Sequence, residues 1–331
     1  MSQPYRVIIA GLGPVGQAIA RLAVQRHNLQ IVAAVDPHPD KVGQDLGQLA
    51  GLGRALGVVV SDSVPKLPAD VVIQATGSHL KEVATQIEGY LTAGYNVVST
   101  CEELAFPAAW DAALAERLDR LAKEHGVTVH GTGVNPGFVM DALVLYASGG
   151  CQTVRSVKVT RVVDAAQRRL PLQQKIGAGL SPEAFAARVR AGQLGHVGLE
   201  ASCRLIAAGL GWRAEGYQES IEPVIARTEL RSQFLTVKPG QVAGQHQVAT
   251  LTSAGRPVIV MDLTMVLQAD NPRDQIEMDS DPPVNIVVQG GYHGDRATAA
   301  VIVNSIPVVV KAPPGLLTVA DFDIPHGVGV V

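Results

Sequence analysis

A glycine-rich turn near the amino terminus limits what this chain can fold into more than any other feature. Arg6 to Ala10 is a short β-branched run, and Gly11-Leu12-Gly13-Pro14-Val15-Gly16 follows it directly, ahead of a helical pattern. A second apolar run, Ile31 to Val35, is followed by Asp36, 20 residues after Gly16. This order of strand, glycine turn, helix, strand and acid is typical of the first unit of a dinucleotide-binding domain.

The residues of this turn predict a cofactor. Gly11 permits the tight turn, Gly13 lets the backbone approach a pyrophosphate at the helix N-terminus, and Gly16 allows close packing of the helix on the strand. Asp36 is placed to accept hydrogen bonds from the adenosine ribose and would repel a 2′-phosphate. We therefore expect NAD or NADP as the cofactor, with NAD favoured. His38 and Lys41 lie close enough in the chain to bind the 2′-phosphate of NADP.

Composition narrows the function classes. The 331 residues suffice for two domains, 47% of them are apolar, and the net charge of −3 comes without a basic run that would indicate nucleic acid. The apolar stretches are strand-sized, so we predict neither a membrane span nor a signal peptide. Three widely spaced cysteines, and no cluster with metal-ligand spacing, predict reduced thiols, a cytoplasmic location and no metal site.

The hydrophobic pattern predicts an α/β protein with two domains. Strand and helix patterns alternate from Tyr5 to about Met140, which is typical of a Rossmann-type, doubly wound parallel sheet. Beyond Asp141 the pattern mixes longer strands with helices, and Val258 to Leu267 alternates as a half-buried strand does. We expect residues 1–140 to bind the dinucleotide, rejoined by 295–331, and an α+β domain of residues 141–294 to bind substrate and form a dimer.

Two adjacent carboxylates follow a later strand of the first domain. Glu102 and Glu103 come just after Val97-Val98, and ligands bind at the carboxyl ends of such strands. Thr100 and Glu103 have the spacing of a capping box, which would give Glu103 a structural role. Glu102 has no capping role in that register, so we predict that it is the acid or base of the site. If Ser99 were the cap, the two roles would exchange.

Two further loops are candidates for cofactor and substrate contacts. Ala75, Thr76 and Gly77 close another strand with small residues, over which the nicotinamide-side ribose and phosphate would fit. Asn135 lies in a glycine-containing loop between a strand and a helix, and it offers both donors and an acceptor. An ordinary turn is the alternative interpretation of each loop.

In the second domain, Arg161 and His196 have two interpretations each. Arg161 shares a strand face with Val159 and Val163, and an arginine there needs a partner because an unpaired buried charge is costly. Asp164 or Asp262 would provide a salt bridge; the alternative is an arginine of the active site. His196 is more simply a structural histidine than a pocket residue.

Several of these motifs together resemble a known family. The N-terminal half resembles dihydrodipicolinate-reductase-like proteins, and the whole chain resembles the 2,4-diaminopentanoate dehydrogenase and native amine dehydrogenase group. The resemblance is carried by Gly11–Gly16, Cys101–Leu104, Gly131–Asp141, Lys175–Gly179, Gly195–Leu199, Gly291–Asp295 and Pro313–Leu316. It implies NAD(P)-dependent oxidative deamination of an amine, or reductive amination of a ketone or aldehyde with ammonia, by a homodimer.

The resemblance also implies roles for single residues. The family's catalytic glutamate matches Glu102, and Asn135 and Arg161 match positions on the substrate side. Val163 and Thr264 stand where more polar partners of a second amine are expected, which favours a simple amine over a diamine. The histidine-and-lysine signature of true dihydrodipicolinate reductases is missing from the second domain, which argues against lysine biosynthesis.

The resulting site prediction has three parts, and other functions remain open. Catalysis is assigned to Glu102. Cofactor contacts are predicted for Gly11, Gly13, Pro14, Val15, Gly16, Asp36, Ala75, Thr76, Gly77, Thr100, Cys101 and Asn135. The substrate pocket is predicted from Asn135, Phe138, Arg161, Val163, His196 and Thr264. The alternatives are 2,4-diaminopentanoate dehydrogenase itself, a C=N or C=C reductase of an acidic substrate, and a dinucleotide sensor without catalytic activity.

Overall fold

The computed structural model describes residues 3–322, so residues 1, 2 and 323–331 lie outside it, including the end of the predicted return segment 295–331. The described chain divides into two compact units. The first comprises the residues up to Phe138 together with the segment that starts at His293, and the second runs from Val139 to Tyr292.

Strands and helices alternate through the amino-terminal part of the first unit. Pro14 occupies the first turn of α1, where its missing N–H costs nothing, and the side chain of Asp111 caps α4 by accepting the N–H of Leu114. The elements are β1 Tyr5–Ala10, α1 Pro14–Ala23, β2 Leu29–Val35, α2 Leu46–Leu49, β3 Val60–Ser61, β4 Val71–Gln74, α3 Leu80–Thr92, β5 Asn96–Ser99, α4 Ala112–Glu124 and β6 Thr128–Gly131.

Longer strands dominate the second unit. Its α7 starts with a pattern typical of helix N-termini, since Pro182 lies in the first turn and the Ser181 hydroxyl accepts the N–H of Ala184. The elements are α5 Ala142–Ser148, β7 Thr153–Asp164, α6 Leu170–Lys175, α7 Pro182–Arg190, α8 Leu199–Gly209, β8 Gly216–Ile225, β9 Leu230–Arg231, β10 Thr236–Val237, β11 Val242–Ser253, β12 Arg256–Val266, β13 Arg273–Asp281 and β14 Val284–Gln289.

The chain then returns to the first unit with α9 Gly294–Val309 and β15 Gly315–Leu317. The first sheet is parallel throughout and has the order β15-β6-β5-β4-β1-β2-β3. α9 packs against α1 and buries Ile302, Val303 and Ile306 in the same core as Val7 and Ile19. Each such fully buried side chain stabilises the fold by about 1.5–3 kcal/mol. The predicted parallel α/β fold is confirmed.

The second unit is built on a six-stranded mixed sheet with the order β14-β13-β7-β12-β11-β8. β7 and β12 run parallel, whereas the other neighbours are antiparallel. Along β12 the residues Ile259, Met261 and Leu263 are buried, while Asp262 and Thr264 are half-buried, as the alternating sequence predicts. The second unit is therefore a mixed helix-and-sheet structure. Within residues 3–322, no helix is both long and apolar enough to cross a membrane.

Candidate cofactor and active site

The glycine turn between β1 and α1 has the tight geometry that the sequence predicts. Gly11 has φ +92°, and a Cβ at this position would collide with the carbonyl oxygen of Ala75. A Cβ at Gly16 would collide with the carbonyl oxygen of Gly11, so α1 lies directly against the turn. Packing inside the first unit therefore explains two of the three glycines.

Gly13 needs a different explanation. It is the N-cap of α1 in extended conformation, and apart from its two chain neighbours no described residue comes within 4 Å of a Cβ at this position. Its side-chain space faces an open region in front of the helix N-terminus, where backbone N–H groups favour an anion. The residues present thus fit a dinucleotide pyrophosphate, with Pro14 and Val15 in the first turn behind it.

Asp36 follows β2 and is tied to the turn. Its Oδ2 accepts the N–H of Leu12 at 2.9 Å and a hydrogen bond from Lys41 Nζ at 2.7 Å, and its Oδ1 accepts the N–H of His38 at 3.0 Å. Burial opposes ionisation, but the hydrogen bonds from Lys41, His38 and Leu12 outweigh it and hold the pKa of Asp36 below its ordinary value. The carboxylate is therefore charged at neutral pH.

A cavity of about 430 Å³ opens within the first unit, and the two chain neighbours of Asp36, Val35 and Pro37, contribute to its wall. Its lining combines the ends of β1 and β2 with one side of α3: Gly11, Val35, Pro37, Thr76, Gln86 and Lys66. A mostly apolar cleft with a few polar groups is the usual form of a small-ligand site. Its position at the end of β2, where Val35 and Pro37 flank Asp36, matches the adenosine end of a dinucleotide.

The other predicted loops begin at the same edge of the first sheet. Backbone hydrogen bonds continue the strand pairing into them: Ala75 N–H to Ala10 O at 2.7 Å, Thr100 N–H to Gln74 O at 3.0 Å, and Thr132 N–H to Ser99 O at 2.9 Å. The segments Ala75–Gly77, Thr100–Glu102 and Thr132–Phe138 therefore start level with the glycine turn. The structure brings the predicted residues of the first unit to one edge.

A buried polar chain fixes two of these strand ends. The Cys101 N–H donates to Ser99 Oγ at 3.0 Å, and the Ser99 hydroxyl donates to Gln74 Oε1. The Gln74 amide donates to Thr76 Oγ1, whose hydroxyl donates to Gln86 Oε1 at 2.7 Å. Gln74 and Ser99 are fully buried. Sequence reasoning gave Gln74 no role, although a polar residue ending an apolar strand was the available signal.

Glu103 has a structural role, but not in the predicted capping box. A 3₁₀ turn starts at Glu102, and Cys101 is its N-cap residue. In this described turn the Cys101 side chain makes no capping hydrogen bond. Instead, Glu103 Oε2 accepts the N–H of Leu80 at 2.7 Å, and its Oε1 accepts the Nδ1–H of His79 at 2.8 Å. The carboxylate thus caps α3, with which its charge interacts favourably. The hydrogen bond to Glu103 raises the pKa of His79, against the effect of burial.

Glu102 stands one residue before this anchored carboxylate. It is half-buried, begins the 3₁₀ turn, and follows directly on the strand end that the Gln74 chain fixes. The neighbouring thiol does not compete with it as a base, because burial raises the pKa of Cys101 to about 12. The Cys101 thiol donates to the carbonyl of Ser78 at 3.2 Å, which links the two loops.

The loop after β6 is closely packed. Asn135 is 7% exposed, and the Thr132 hydroxyl donates to the carbonyl of Gly137 across the loop at 3.3 Å. The N–H of Val134 donates to Thr298 Oγ1 of α9 at 3.2 Å, so the returning helix holds the loop. Phe138 is half-buried at the end of the first unit. Asn135 and Phe138 remain predicted ligand contacts.

Arg161 forms a buried salt bridge with a partner that the sequence did not indicate. Its Nη1 lies 2.8 Å from Asp274 Oδ1 on the adjacent β13, and its Nη2 donates to the Tyr292 carbonyl at 2.8 Å. Asp274 Oδ2 accepts the N–H of Tyr292 at 2.7 Å, so the pair holds both backbone groups of that residue. Burial lowers the pKa of Arg161 and raises that of Asp274, and their mutual attraction opposes both shifts.

The two expected partners of Arg161 are engaged elsewhere. Asp262 lies on the opposite face of β12 and accepts a hydrogen bond from His246 Nε2 at 2.9 Å. Asp164 ends β7, where its Oδ1 accepts the N–H groups of Ala166 and Gln268 at 2.9 Å. The prediction of Asp164 or Asp262 as the partner was therefore wrong.

The predicted pocket residues of the second unit do not all share one face. Val163 follows Arg161 by two residues and lies on the same side of β7. The backbone of His196 is held by the buried Gln247, whose neighbour Leu263 pairs with Arg161. Thr264 points to the opposite side, because its neighbours across the sheet are Val162 and His246. One face therefore carries Arg161, Val163 and the His196 segment without Thr264.

Comparison with known families matches both parts of the chain. Residues 138–330 match the family described as 2,4-diaminopentanoate dehydrogenase C-terminal domain. Residues 5–101 match the dihydrodipicolinate reductase N-terminus, which includes the glycine turn and Asp36.

Individual relatives are similar over nearly the full length. A 2,4-diaminopentanoate dehydrogenase from Acetoanaerobium sticklandii is 32% identical over 98% of this chain and 95% of its own length. An amine dehydrogenase from Streptomyces virginiae is 23% identical over 97% of both chains. The solved structure of amine dehydrogenase from Mycobacterium smegmatis has a TM-score of 0.84 at 26% identity and covers 96% of this chain and 95% of that chain.

Proposed function

This chain belongs to the 2,4-diaminopentanoate dehydrogenase family, and from that membership we propose that it is an NAD(P)-dependent oxidoreductase that deaminates an amine oxidatively and, in reverse, aminates a ketone or aldehyde with ammonia. One observation supports the assignment of its chemistry most directly. Of two adjacent carboxylates at the loop edge of the first sheet, Glu103 caps α3, whereas Glu102 begins the 3₁₀ turn and is the carboxylate that we assign to proton transfer.

The first unit is proposed to hold the cofactor. The open space before Gly13 would hold the pyrophosphate. Asp36 and the cavity at the end of β2 would bind the adenosine, and the loops of Ala75–Gly77, Thr100–Cys101 and Asn135 would bind the nicotinamide half. A bound nicotinamide supplies the hydride-acceptor chemistry. Asp36 favours NAD because its charge repels a 2′-phosphate.

Glu102 is proposed to move two protons in turn. It first accepts a proton from the substrate ammonium and passes it to solvent, which frees the nitrogen lone pair before hydride leaves the adjacent carbon. It then accepts a proton from the water that attacks the iminium carbon, and it returns this proton to the nitrogen of the resulting carbinolamine. As the C–N bond breaks and the carbonyl forms, the remaining hydroxyl proton passes to the departing ammonia, which leaves as ammonium. The overall deamination releases one proton, so rising pH favours that direction.

We propose a simple amine as the substrate. The guanidinium of Arg161 is already paired with Asp274, so it offers little attraction for a substrate carboxylate, and Val163 beside it is apolar. The same pairing argues against a reductase of an acidic C=N or C=C substrate. The 32%-identical relative favours a second candidate, 2,4-diaminopentanoate itself.

The remaining assignments concern the second unit and the assembly. We propose that the second unit binds the substrate and pairs with a second copy through its sheet. The half-buried side of β12, with Val260, Asp262 and Thr264, supports this role because a long strand of this kind gains from further cover. A cytoplasmic location agrees with Cys101, Cys151 and Cys203 being free thiols.

A matched set of amines tests the reaction and the substrate. We would follow reduced nicotinamide absorbance with 2-aminopentane, 4-aminopentanoate and 2,4-diaminopentanoate, each with NAD and with NADP. We expect the highest kcat/KM for 2-aminopentane. Turnover confined to the diamine would support the second candidate, and the absence of amine turnover by protein that binds NADH would contradict the proposed reaction.

A separate measurement tests the cofactor site. NADH fluorescence titration should show saturable binding by the wild-type protein and none by Gly13→Asp, because the new carboxylate would occupy the anion site. Gly150→Asp is the matched control, since Gly150 also has open space around its Cβ position but lies in the second unit. Equal binding by a folded Gly13→Asp protein would exclude this site.

A further inference from the structure

The carboxylate of Asp36 already accepts most of the hydrogen bonds that a carboxylate can accept, all of them from the protein. It accepts hydrogen bonds from two backbone N–H groups, those of Leu12 and His38, and one from the side chain of Lys41. A carboxylate accepts about four hydrogen bonds, so about one position is left for a ribose hydroxyl. Lys41 therefore competes with the ribose for this group.

Lys41 reaches Asp36 from the solvent side. A turn after β2 brings it back, with the Lys41 N–H donating to the carbonyl of His38 at 2.9 Å. Its side chain is 25% exposed, against 9% for that of Asp36. The ammonium group is thus on the more exposed side chain of the pair, and its flexible stem lets its three donors turn to another acceptor.

We infer that Lys41 is the cofactor-specificity residue that lets this protein accept NADP as well as NAD. This inference rests on the proposed function. With NAD, Lys41 stays paired with Asp36 and a ribose hydroxyl takes the remaining acceptor position. With NADP, the ammonium turns from Asp36 to the 2′-phosphate, where it offsets the repulsion between phosphate and carboxylate.

Binding of the two cofactors should respond differently to loss of this cation. Lys41→Met removes the counter-charge of the phosphate and leaves Asp36 unopposed, so NADPH binding weakens. The same substitution frees an acceptor position for the ribose, so NADH binding is unchanged or tighter. We expect the ratio of dissociation constants, NADPH over NADH, to rise about tenfold or more, since a charge-assisted hydrogen bond contributes that much to affinity.

The chain provides a matched control for this measurement. Lys123 also pairs with an aspartate, its Nζ lying 2.7 Å from Asp119 Oδ2. This pair lies on the last turns of α4, just before β6 begins, at the edge of the sheet opposite the glycine turn. Lys123→Met therefore removes the same charge from the same unit without affecting the ribose position.

The experiment titrates NADH and NADPH by fluorescence at one ionic strength into wild type, Lys41→Met, Lys41→Arg and Lys123→Met. We expect a raised ratio only for Lys41→Met, with Lys41→Arg close to wild type because the charge is kept. Unchanged binding ratios in Lys41→Met, or a wild type that binds NADH but not NADPH, would overturn this inference and leave the proposed function standing. Wild-type protein that binds neither cofactor would overturn the proposed function itself.

Discussion

At the scale of single residues, Glu102 and Glu103 show how two identical side chains acquire different roles. Glu103 is bound by the N–H of Leu80 and the ring of His79, so its charge serves the start of α3. Glu102 stands at the strand end that the polar chain of Gln74 and Ser99 fixes. Position relative to neighbouring elements, rather than chemistry, separates them.

Glutamine substitutions should distinguish these two roles. Glu102→Gln keeps the volume but removes the base, so we expect the deamination rate to fall by about 100-fold or more. Glu103→Gln weakens the cap of α3 and should cost about 0.5–2 kcal/mol of unfolding free energy with most turnover kept. Steady-state kinetics and urea unfolding of both variants provide the check. A rate loss that followed Glu103 instead would reverse the assignment.

The buried ion pair of Arg161 gives a second prediction. Arg161→Met removes the counter-charge of Asp274, whose side chain is 3% exposed, so we expect about 3–5 kcal/mol of stability to be lost. The double variant with Asp274→Asn should recover much of that loss, as urea unfolding would show. A recovered fold with a strongly raised KM for the amine would mean that Arg161 also contacts the substrate.

At the scale of elements, the sequence predicted local relationships well and distant ones poorly. The glycine turn, Asp36 and the Ser181 cap depend on neighbours within one βαβ unit or one helical turn, and their spacing is readable. The pairing of Arg161 with Asp274 depends on the register of β7 against β13, which no local pattern encodes. The link between Glu103 and Leu80 likewise joins two loops from different crossovers.

The junction of β6 and β15 gives a prediction of pH dependence. His130 is fully buried in β6, its Nδ1–H donates to the Leu317 carbonyl at 2.8 Å, and its ring meets Phe322 edge-on. Burial lowers the pKa of His130 to about 4. Because the unfolded chain binds the proton more readily, this contribution to stability is complete above about pH 6.5 and is lost as pH falls towards 4, at up to ~1.4 kcal/mol per pH unit.

His130→Asn should flatten this acid dependence. The asparagine amide keeps a donor for the Leu317 carbonyl but does not titrate, so its unfolding free energy should fall less between about pH 6.5 and 4.5. Exposed His125 provides the matched control, and His125→Asn should retain the wild-type profile. Parallel acid profiles for wild type and His130→Asn would show that His130 is not the responsible group.

At the scale of the whole molecule, we expect two copies of the chain to form a dimer through the sheet of the second unit. We expect light scattering to give twice the chain mass at micromolar concentration. Val260→Arg, on the half-buried side of β12, should shift the mass towards that of one chain, because it places a charge in the proposed contact. Glu116→Arg on the exposed side of α4 is the control. A wild-type mass of one chain would exclude the dimer.

The late return of the chain to its first sheet has a consequence for biosynthesis. A ribosome that has translated as far as Tyr292 has produced the described part of the second unit, but neither α9 nor β15. At that moment β6 is still an open sheet edge, and the core around Val7 and Ile19 lacks Ile302 and Ile306. The described part of the inserted unit can therefore fold on the nascent chain first, while the cofactor-binding unit, although begun earlier, receives α9 and β15 only afterwards.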